Sequence, residues 1–387
     1  MTSFESALGS ANTGASGPNL KEKLERISWG LVFLLSLIAC TGAAMLYSAG
    51  RGWSPWAGAH LLRFAAGVVI MLCVALTDIR HWMRLAYPVY AVSLVLIIWV
   101  EIAGEIGMGA QRWIDLGLIQ LQPSELMKIA VVMVYARYFH SLNPGRISHP
   151  VALLWPLFLV LAPVALVMRQ PDLGTAVLLM AGAGGMLFLL GVSKYYFLAG
   201  IAAVSAALPI AWTFLHDYQR NRILTFLNPE QDPLGAGYHI MQSKIAFGSG
   251  GVFGKGYMQG TQSHLDFLPE MQTDFVFTML AEELGMIGAL ALVSLFAMVI
   301  IYCYILALRI RHQFGRLIVL GVMLNFFLYV FINMAMVMGL IPVVGIPLPF
   351  VSYGGTAMLT LLFGFGLILS ASVHRSVTIP DNPGLFY

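Results

Sequence analysis

Charge is what this chain has least of. Its 21 Lys and Arg and 18 Asp and Glu make up 10% of 387 residues, against roughly a quarter in soluble domains. With 59% hydrophobic residues and a mean hydropathy of +0.82, a cytosolic globule is excluded. One spanning helix uses only ~20 residues, so most of the chain must lie in lipid. The net charge of +3 is small and scattered, with no basic patch or stripe, which excludes a nucleic-acid partner. Cysteine is scarce too. Cys40, Cys73 and Cys303 each fall inside an apolar run with no CxxC neighbour, so they read as core filler rather than metal ligands or a disulfide. No internal repeat recurs at a fixed period, which leaves an inverted-repeat transporter without support.

What the chain does have is apolar runs. Residues 1–20 are rich in Ser, Gly, Asn and Thr and are expected to be a disordered tail. Lys21, Lys23 and Arg26 then precede the uncharged stretch 27–50, too long for a secretory h-region and without a small-residue cleavage pattern, hence a retained anchor. Further runs follow at about 59–77, 85–100, 124–139, 150–168, 174–192, 196–215, 275–308, 317–341 and 355–373. They predict an all-α polytopic membrane protein of ten transmembrane helices. The fourth run is short and carries Lys128 and Arg137, and the eighth is long and carries Glu282 and Glu283.

Ten spans place both termini on one side. The loops of that side hold twelve of the 21 basic residues but only five of the 18 acidic ones, namely Glu5, Glu22, Glu25, Asp78 and Asp381. By the positive-inside rule that side is cytoplasmic. The expected organisation is a cytoplasmic tail at 1–20, a membrane domain at 21–376 with a long outer loop at 217–273 between helices 7 and 8, and a second cytoplasmic tail at 377–387.

The chemistry should lie outside. In the long loop, Tyr238, Met241 and Ile245 recur at helical spacing with Gln242, Ser243 and Lys244 interposed, which suits a short interfacial helix; one that merely caps the bundle fits as well. Gly248-Ser-Gly-Gly-Val-Phe-Gly-Lys-Gly256 fails as a nucleotide loop, lacking Gly at 249 and Ser or Thr at 256, so its glycines read as tight-turn positions. Where the chain re-enters the membrane, Thr273 or Asp274 can cap the eighth helix. Alternatively, Asp274 is a surface carboxylate beside a loop for a polar substrate and above spans for its lipid tail. A helix N-terminus favours its anion and desolvation opposes it. Glu282 and Glu283, ~12 Å deeper at 1.5 Å per residue, should face the interior with partners, as a structural pair or a proton relay.

Ser124 can cap the fourth helix after Pro123, with Glu125 in its first turn and Lys128 three residues on. The two charges either neutralise each other or face a cavity. In the cavity reading, Lys128 and Arg112 hold a pyrophosphate while Glu125 bridges a cation or orients a sugar hydroxyl. Arg169-Gln-Pro-Asp172 supplies an outer ion pair or simply a turn. Gly345-Ile-Pro-Leu-Pro-Phe-Val-Ser-Tyr-Gly-Gly355, uncharged and with two prolines, predicts a non-helical re-entrant segment lining a protein cavity, or a buried turn without a ligand. Ser352 and Tyr353 are its hydrogen-bonding side chains.

These strings together resemble the SEDS (shape, elongation, division and sporulation) family of integral membrane peptidoglycan glycosyltransferases. The matches are Gly109-Ala-Gln-Arg-Trp-Ile114, Gln122-Pro-Ser-Glu-Leu-Met-Lys128, Gln170-Pro-Asp-Leu-Gly-Thr175, Gly260-Thr-Gln-Ser-His-Leu-Asp-Phe-Leu-Pro-Glu270, Thr273-Asp-Phe275, Glu282-Glu-Leu-Gly285 and Pro347-Leu-Pro-Phe-Val-Ser-Tyr-Gly-Gly355. The Gly-Thr-Gln-Ser string points to the elongation branch. Met271 and Gln272 depart from the pattern, standing where relatives commonly carry a basic or small residue and His.

The resemblance implies polymerisation of lipid II into glycan strands on the periplasmic face of the bacterial inner membrane. It makes Asp274 the general base, undecaprenyl pyrophosphate the leaving group and inversion the stereochemical outcome. Arg112, Glu125, Lys128, Arg169, Lys244 and Ser352 complete the candidate set for pyrophosphate and sugar, with a divalent ion, Mg or Mn, as a further candidate. It also implies a class B penicillin-binding protein (a transpeptidase) docked on late spans, and the elongation machinery as partners. A lipid II flippase and a non-catalytic scaffold for the transpeptidase are the alternatives. The first needs polar groups at mid-depth, where only Glu282 and Glu283 serve; the second makes Asp274 dispensable.

Overall fold

The computed structural model describes residues 19–107, 110–115, 117, 120–214, 217–228, 236–265, 267, 270–377 and 379. Most of the expected N-terminal tail therefore lies outside the described residues. A short helix α1 (Leu20–Arg26) leads into α2 (Trp29–Gly50), α3 (Gly58–Leu76) and α4 (Ile79–Ala103). Next comes a small antiparallel sheet, β1 (Glu105–Gly107), β2 (Ala110–Asp115) and β3 (Gln120–Leu121), in the order β1-β2-β3. The helices α5 (Pro123–His140), α6 (Pro150–Arg169), α7 (Leu173–Leu189) and α8 (Lys194–Phe214) follow. The expected long loop holds α9 (Asp217–Leu227), α10 (Ala236–Ser249) and α11 (Thr261–His264). The chain closes with α12 (Val276–Arg309), α13 (Gln313–Val337) and α14 (Gly355–Val373).

Among the described residues, seven helices are long and apolar enough to cross a membrane: α2, α3 with the turn before it, α4, α6, α12, α13 and α14. The other three apolar runs coincide with α5, α7 and α8. The 17-residue α7 is apolar but short, and α5 carries Glu125, Lys128 and Arg137 in 18 residues. The molecule is a polytopic helical membrane protein. Its outward faces carry Leu62, Val95, Ile102, Leu154 and Ile201, each more than 60% exposed, a surface that suits lipid and not water.

Helix α14 is the centre of the bundle, with 89% of its most apolar window buried against 28% for α4, α6 and α12. It packs along α3 at small-residue crossings. A Cβ on Gly67 would lie 2.3 Å from Leu362 Cδ1, and one on Gly366 would lie 2.8 Å from the Met71 carbonyl. Lipid supplies no hydrophobic drive between helices, so such close backbone approach is what holds them. Cys303 is buried as expected, but Cys40 and Cys73 are exposed on the bundle's outside. A membrane helix is apolar all round, so an apolar run does not reveal which face is inward.

The 34-residue α12 is broken at Gly285 (φ 67°, ψ −164°), and the glycine-rich loop after α10 repairs the break. The N–H groups of Lys255 and Gly256 donate to the Glu282 and Glu283 carbonyls, each at 3.0 Å, while those of Met286 and Ile287 donate to Gly251 and Val252 at 3.0 and 3.2 Å. Gly251, Gly254 and Gly256 all have positive φ, as tight-turn glycines should. The loop thus supplies the backbone partners that lipid cannot. On α10, the residues packed on the bundle are Ser243 and Ala246, both 0% exposed, while Met241 and Ile245 of the predicted stripe face outward at 38% and 49%.

Candidate active site

The chain turns at residues 270–275 and enters α12, whose N-cap is Phe275 rather than Thr273 or Asp274. Thr273 is otherwise engaged, its hydroxyl donating to the Glu270 carboxylate at 3.0 Å. Asp274 is partly buried at the mouth of a non-helical stretch of α13–α14 connection, residues 340–354, in which Ile346, Leu348, Phe350, Val351 and Ser352 are buried. The segment is non-helical and partly buried, as its prolines and glycines predict.

Three ties fix Asp274 against that segment. The Asn333 amide of α13 donates to the Asp274 carbonyl at 3.1 Å and to the Ile346 carbonyl at 2.7 Å. The Tyr353 N–H donates to the Gln272 carbonyl at 2.8 Å. Carboxylate Oδ2 of Asp274 lies 3.5 Å from where a Cβ on Gly345 would stand, an ordinary contact distance, so the acid packs on the backbone of Gly345, whose φ of 71° calls for glycine. Ser352 shapes the segment from within: its hydroxyl oxygen accepts from the Leu348 N–H at 2.8 Å.

A second cluster lies deeper and is buried. Lys128 donates to Glu125 at 2.7 Å and also to the Tyr329 hydroxyl, which in turn donates to the other Glu125 oxygen. The Lys128 ammonium sits 4.4 Å from the Tyr329 ring centroid as well. The two charges therefore neutralise each other with side-chain exposures of only 3% and 6%. Tyr329 and Asn333 stand four residues apart on α13, so one helix face holds both the Lys128 pair and the Asp274 turn. Ser124 does not cap α5; Gln122 is the N-cap and Pro123 takes the first helical position, where its missing N–H costs nothing.

The third cluster orders the turn before α7. Asp172 caps that helix through the Thr175 N–H at 3.0 Å and accepts from the Thr175 hydroxyl at 2.9 Å. Its ion-pair partner is Arg112, at 3.8 Å, rather than Arg169. Arg169 instead pairs with Glu101 at 3.8 Å with 75% of its side chain exposed. Helical geometry explains the exchange: Arg169 closes α6 and Asp172 opens α7, while β2 brings Arg112 across. The Arg112 guanidinium also donates to the Gln170 and Pro171 carbonyls at 3.0 and 2.5 Å, so it braces the turn. Lys244 lies on exposed α10, its stem against Gly339.

The structure thus sets the Asp274 turn against the segment that contains Ser352, joins Glu125 with Lys128 and Arg112 with Asp172, and leaves Arg169 and Lys244 exposed. Two residues were not among the sequence candidates. Tyr329 sits inside an apolar run and reads as core. Arg63 is the other. It lies within α3, 4.6 Å from the Tyr353 ring centroid and 3.3 Å from where a Cβ on Gly355 would stand. It has no carboxylate partner among the described residues. Its signal was visible: a single cation inside an apolar run is costly and commonly functional.

Polar clusters enclosed by long apolar helices define a polytopic integral membrane protein. The chain belongs to the FtsW/RodA/SpoVE family of cell cycle proteins, whose model matches residues 22–377. It is 43% identical over 365 residues to the peptidoglycan glycosyltransferase MrdB of Escherichia coli K12, covering 93% of this chain and 98% of the relative. Its backbone matches a solved peptidoglycan synthase complex, described as coordinating polymerization and crosslinking, with a TM-score of 0.78 and 32% identity over 90% of this chain and 98% of the other. The rod shape determining protein RodA of Thermus thermophilus matches at 0.67 and 27% identity, over 91% and 98%.

Proposed function

We propose that this chain is a peptidoglycan glycosyltransferase of the bacterial inner membrane that polymerises lipid II during elongation, with Asp274 as general base. The observation that carries the residue assignment is the Asp274 carboxylate lying against side-chain-free Gly345, with its backbone tied to α13 and to the re-entrant segment. Family membership and the E. coli relative's activity support the reaction class.

In this reading α2 to α8 and α12 to α14 are ten spans with both termini cytoplasmic, which puts Asp274 on the periplasmic side. Asp274 removes the proton from the acceptor sugar's 4-hydroxyl as that oxygen forms a bond to the donor's anomeric carbon. The bond from that carbon to the diphosphate oxygen breaks with inversion, and its electron pair leaves with undecaprenyl pyrophosphate. Held by Asn333 and Tyr353, the base needs little reorganisation. The leaving diphosphate gathers negative charge that cations must meet. Arg63 at the re-entrant segment and Lys128 behind Tyr329 serve that need, Glu125 orients Lys128, and Arg112 and Ser352 hold the walls in place. Among the described residues no three His, Cys, Asp or Glu side chains converge, so a Mg or Mn ion would come coordinated by the diphosphate's oxygens.

The match to a synthase complex supports a crosslinking partner; in this reading it is a class B penicillin-binding protein, seated on the outward apolar faces of α12 and α13. Transport of lipid II finds less support. Glu282 and Glu283, the mid-depth acids that reading needs, are both 0% exposed and bound to Lys255, Thr261, Ser48 and Met258.

The test is purified protein with lipid II, with and without the transpeptidase, and glycan products sized on a gel. Asp274→Asn and Asp274→Ala should lower polymerisation by at least about 10²–10⁴-fold, the usual worth of a general base, with folding and partner binding intact. Near-normal strands from either variant would refute the assignment.

A further inference from the structure

At the end of the bundle opposite Asp274, α5 and α7 finish, α13 begins and the chain leaves α14. These ends enclose a cavity of about 570 Å³ lined on its polar side by His140, Arg311, His312 and Arg316, with no carboxylate among its described lining residues. The positive-inside rule explains why basic residues gather at this end. It does not require them to converge on a cavity, nor to bury an imidazole there.

His312 is 6% exposed. Its Nδ1 accepts the Gly315 N–H at 2.9 Å, so the neutral ring carries its proton on Nε2, a buried donor that has the His374 backbone near it but makes no hydrogen bond of ordinary geometry. The Arg311 side chain has no hydrogen-bond or carboxylate partner among the described residues, and Arg316 spends one donor on the Ile310 carbonyl at 3.3 Å. The N-terminus of the 25-residue α13 opens at the same place and adds its positive dipole end. The lining also has an apolar part, built by leucines at the end of α7 and in the first turns of α13. One of them, Leu189, is 41% exposed, so the wall runs on into the lipid-facing surface.

We propose that this cavity binds the phosphate of an anionic phospholipid of the inner leaflet, the arginines and His312 holding the headgroup and the leucine wall its first acyl carbons. Basic recesses between helix ends suit such headgroups because arginine binds phosphate in a bidentate fork. Burial, together with the charges of His140, His374 and Arg316, holds the His312 pKa down at about 4, and a bound anion offsets that repulsion. The leaflet follows from the orientation proposed above; the ligand chemistry does not depend on the glycosyltransferase reading.

The experiment uses the full chain, delipidated in detergent, and its Asp274→Asn form so that binding is read apart from catalysis. Phosphatidylglycerol, phosphatidylethanolamine or inorganic phosphate is added, and bound lipid is counted by native mass spectrometry alongside the melting temperature. Phosphatidylglycerol should be retained and should raise the melting temperature, with phosphatidylethanolamine at least tenfold weaker. Arg311→Ala with Arg316→Ala should lose that preference, and the paired Arg→Lys variant, which keeps the charge and the fold, should keep most of it. Equal retention of both lipids, or an unchanged preference in the alanine variant, overturns the site. Inorganic phosphate binding as tightly as the lipid overturns the phospholipid assignment.

Discussion

An arginine inside a membrane helix must be compensated, and translocon scales put its cost at about 2.5–3.5 kcal/mol at mid-helix. Arg63 lies one and a half turns into α3, where its compensation is the Tyr353 face at 4.6 Å. A cation–π contact is worth about 0.5–2 kcal/mol, less than the cost, so the residue is retained for what it does. Lys128 contrasts with it, being already paired with Glu125. Arg63→Ala should therefore raise the KM for lipid II roughly tenfold, as losing one hydrogen bond to a charged group does, while Arg63→Lys recovers part of it. Initial polymerisation rates against lipid II concentration check this, and an unchanged KM would return Arg63 to a packing role. Tyr329 was not legible because one tyrosine inside an apolar run does not say which way it faces, whereas Arg63 was, as a lone cation in such a run. Asp274 was legible because it ends a run beside a long polar loop.

At the scale of elements, hydropathy located the helices because lipid demands internally satisfied backbone. It could not locate the break in α12. A Gly within a helix costs about 1 kcal/mol whether or not the helix bends there, so Gly285 in sequence looks like any tolerated glycine. In the fold it adopts φ 67°, ψ −164°, and a Cβ would come within 2.3 Å of the Gly254 nitrogen. Gly285→Ala should thus destabilise by about 3 kcal/mol or more through backbone strain and steric contact, seen as a lowered melting temperature. The side chains beside the break are coupled to the same loop. Glu282 accepts from Lys255 at 2.7 Å and from the Thr261 and Gln262 N–H groups at 2.9 and 3.0 Å. Lys255→Met leaves that acid buried without its cation and should cost about 2–4 kcal/mol, whereas Lys255→Met with Glu282→Met should recover much of the loss. A double-mutant cycle of melting temperatures measures the difference; additive losses would show that the pair does not act as a unit. The small sheet and the Arg112–Asp172 pairing were also illegible, since both depend on which loops meet across the bundle.

Across the whole molecule, the end of the bundle opposite Asp274 is where pH should act on stability. His312 joins α13 to the ends of α5 and α14, facing His140, His374 and Arg316, and burial first, then those charges, lowers its pKa to about 4 from an ordinary 6.5. Above pH 6.5 the ring is neutral folded or unfolded, and the stability it permits is fully present. Between 6.5 and about 4 the unfolded chain takes up a proton that the folded bundle refuses, so stability falls as pH falls. The window of roughly 2.5 units corresponds to on the order of 3 kcal/mol at its acid end. His374 is shifted in the same direction, chiefly by burial, and adds to the slope. The melting temperature of the purified protein should be flat from pH 8 to about 6.5 and then decline towards pH 4.5. His312→Asn, which keeps a side-chain cap for the Gly315 N–H, should decline less steeply, and parallel curves for parent and variant would show that folding does not lower the histidine's pKa. Because acidic groups elsewhere contribute equally to both proteins, the difference between the curves isolates this one ring.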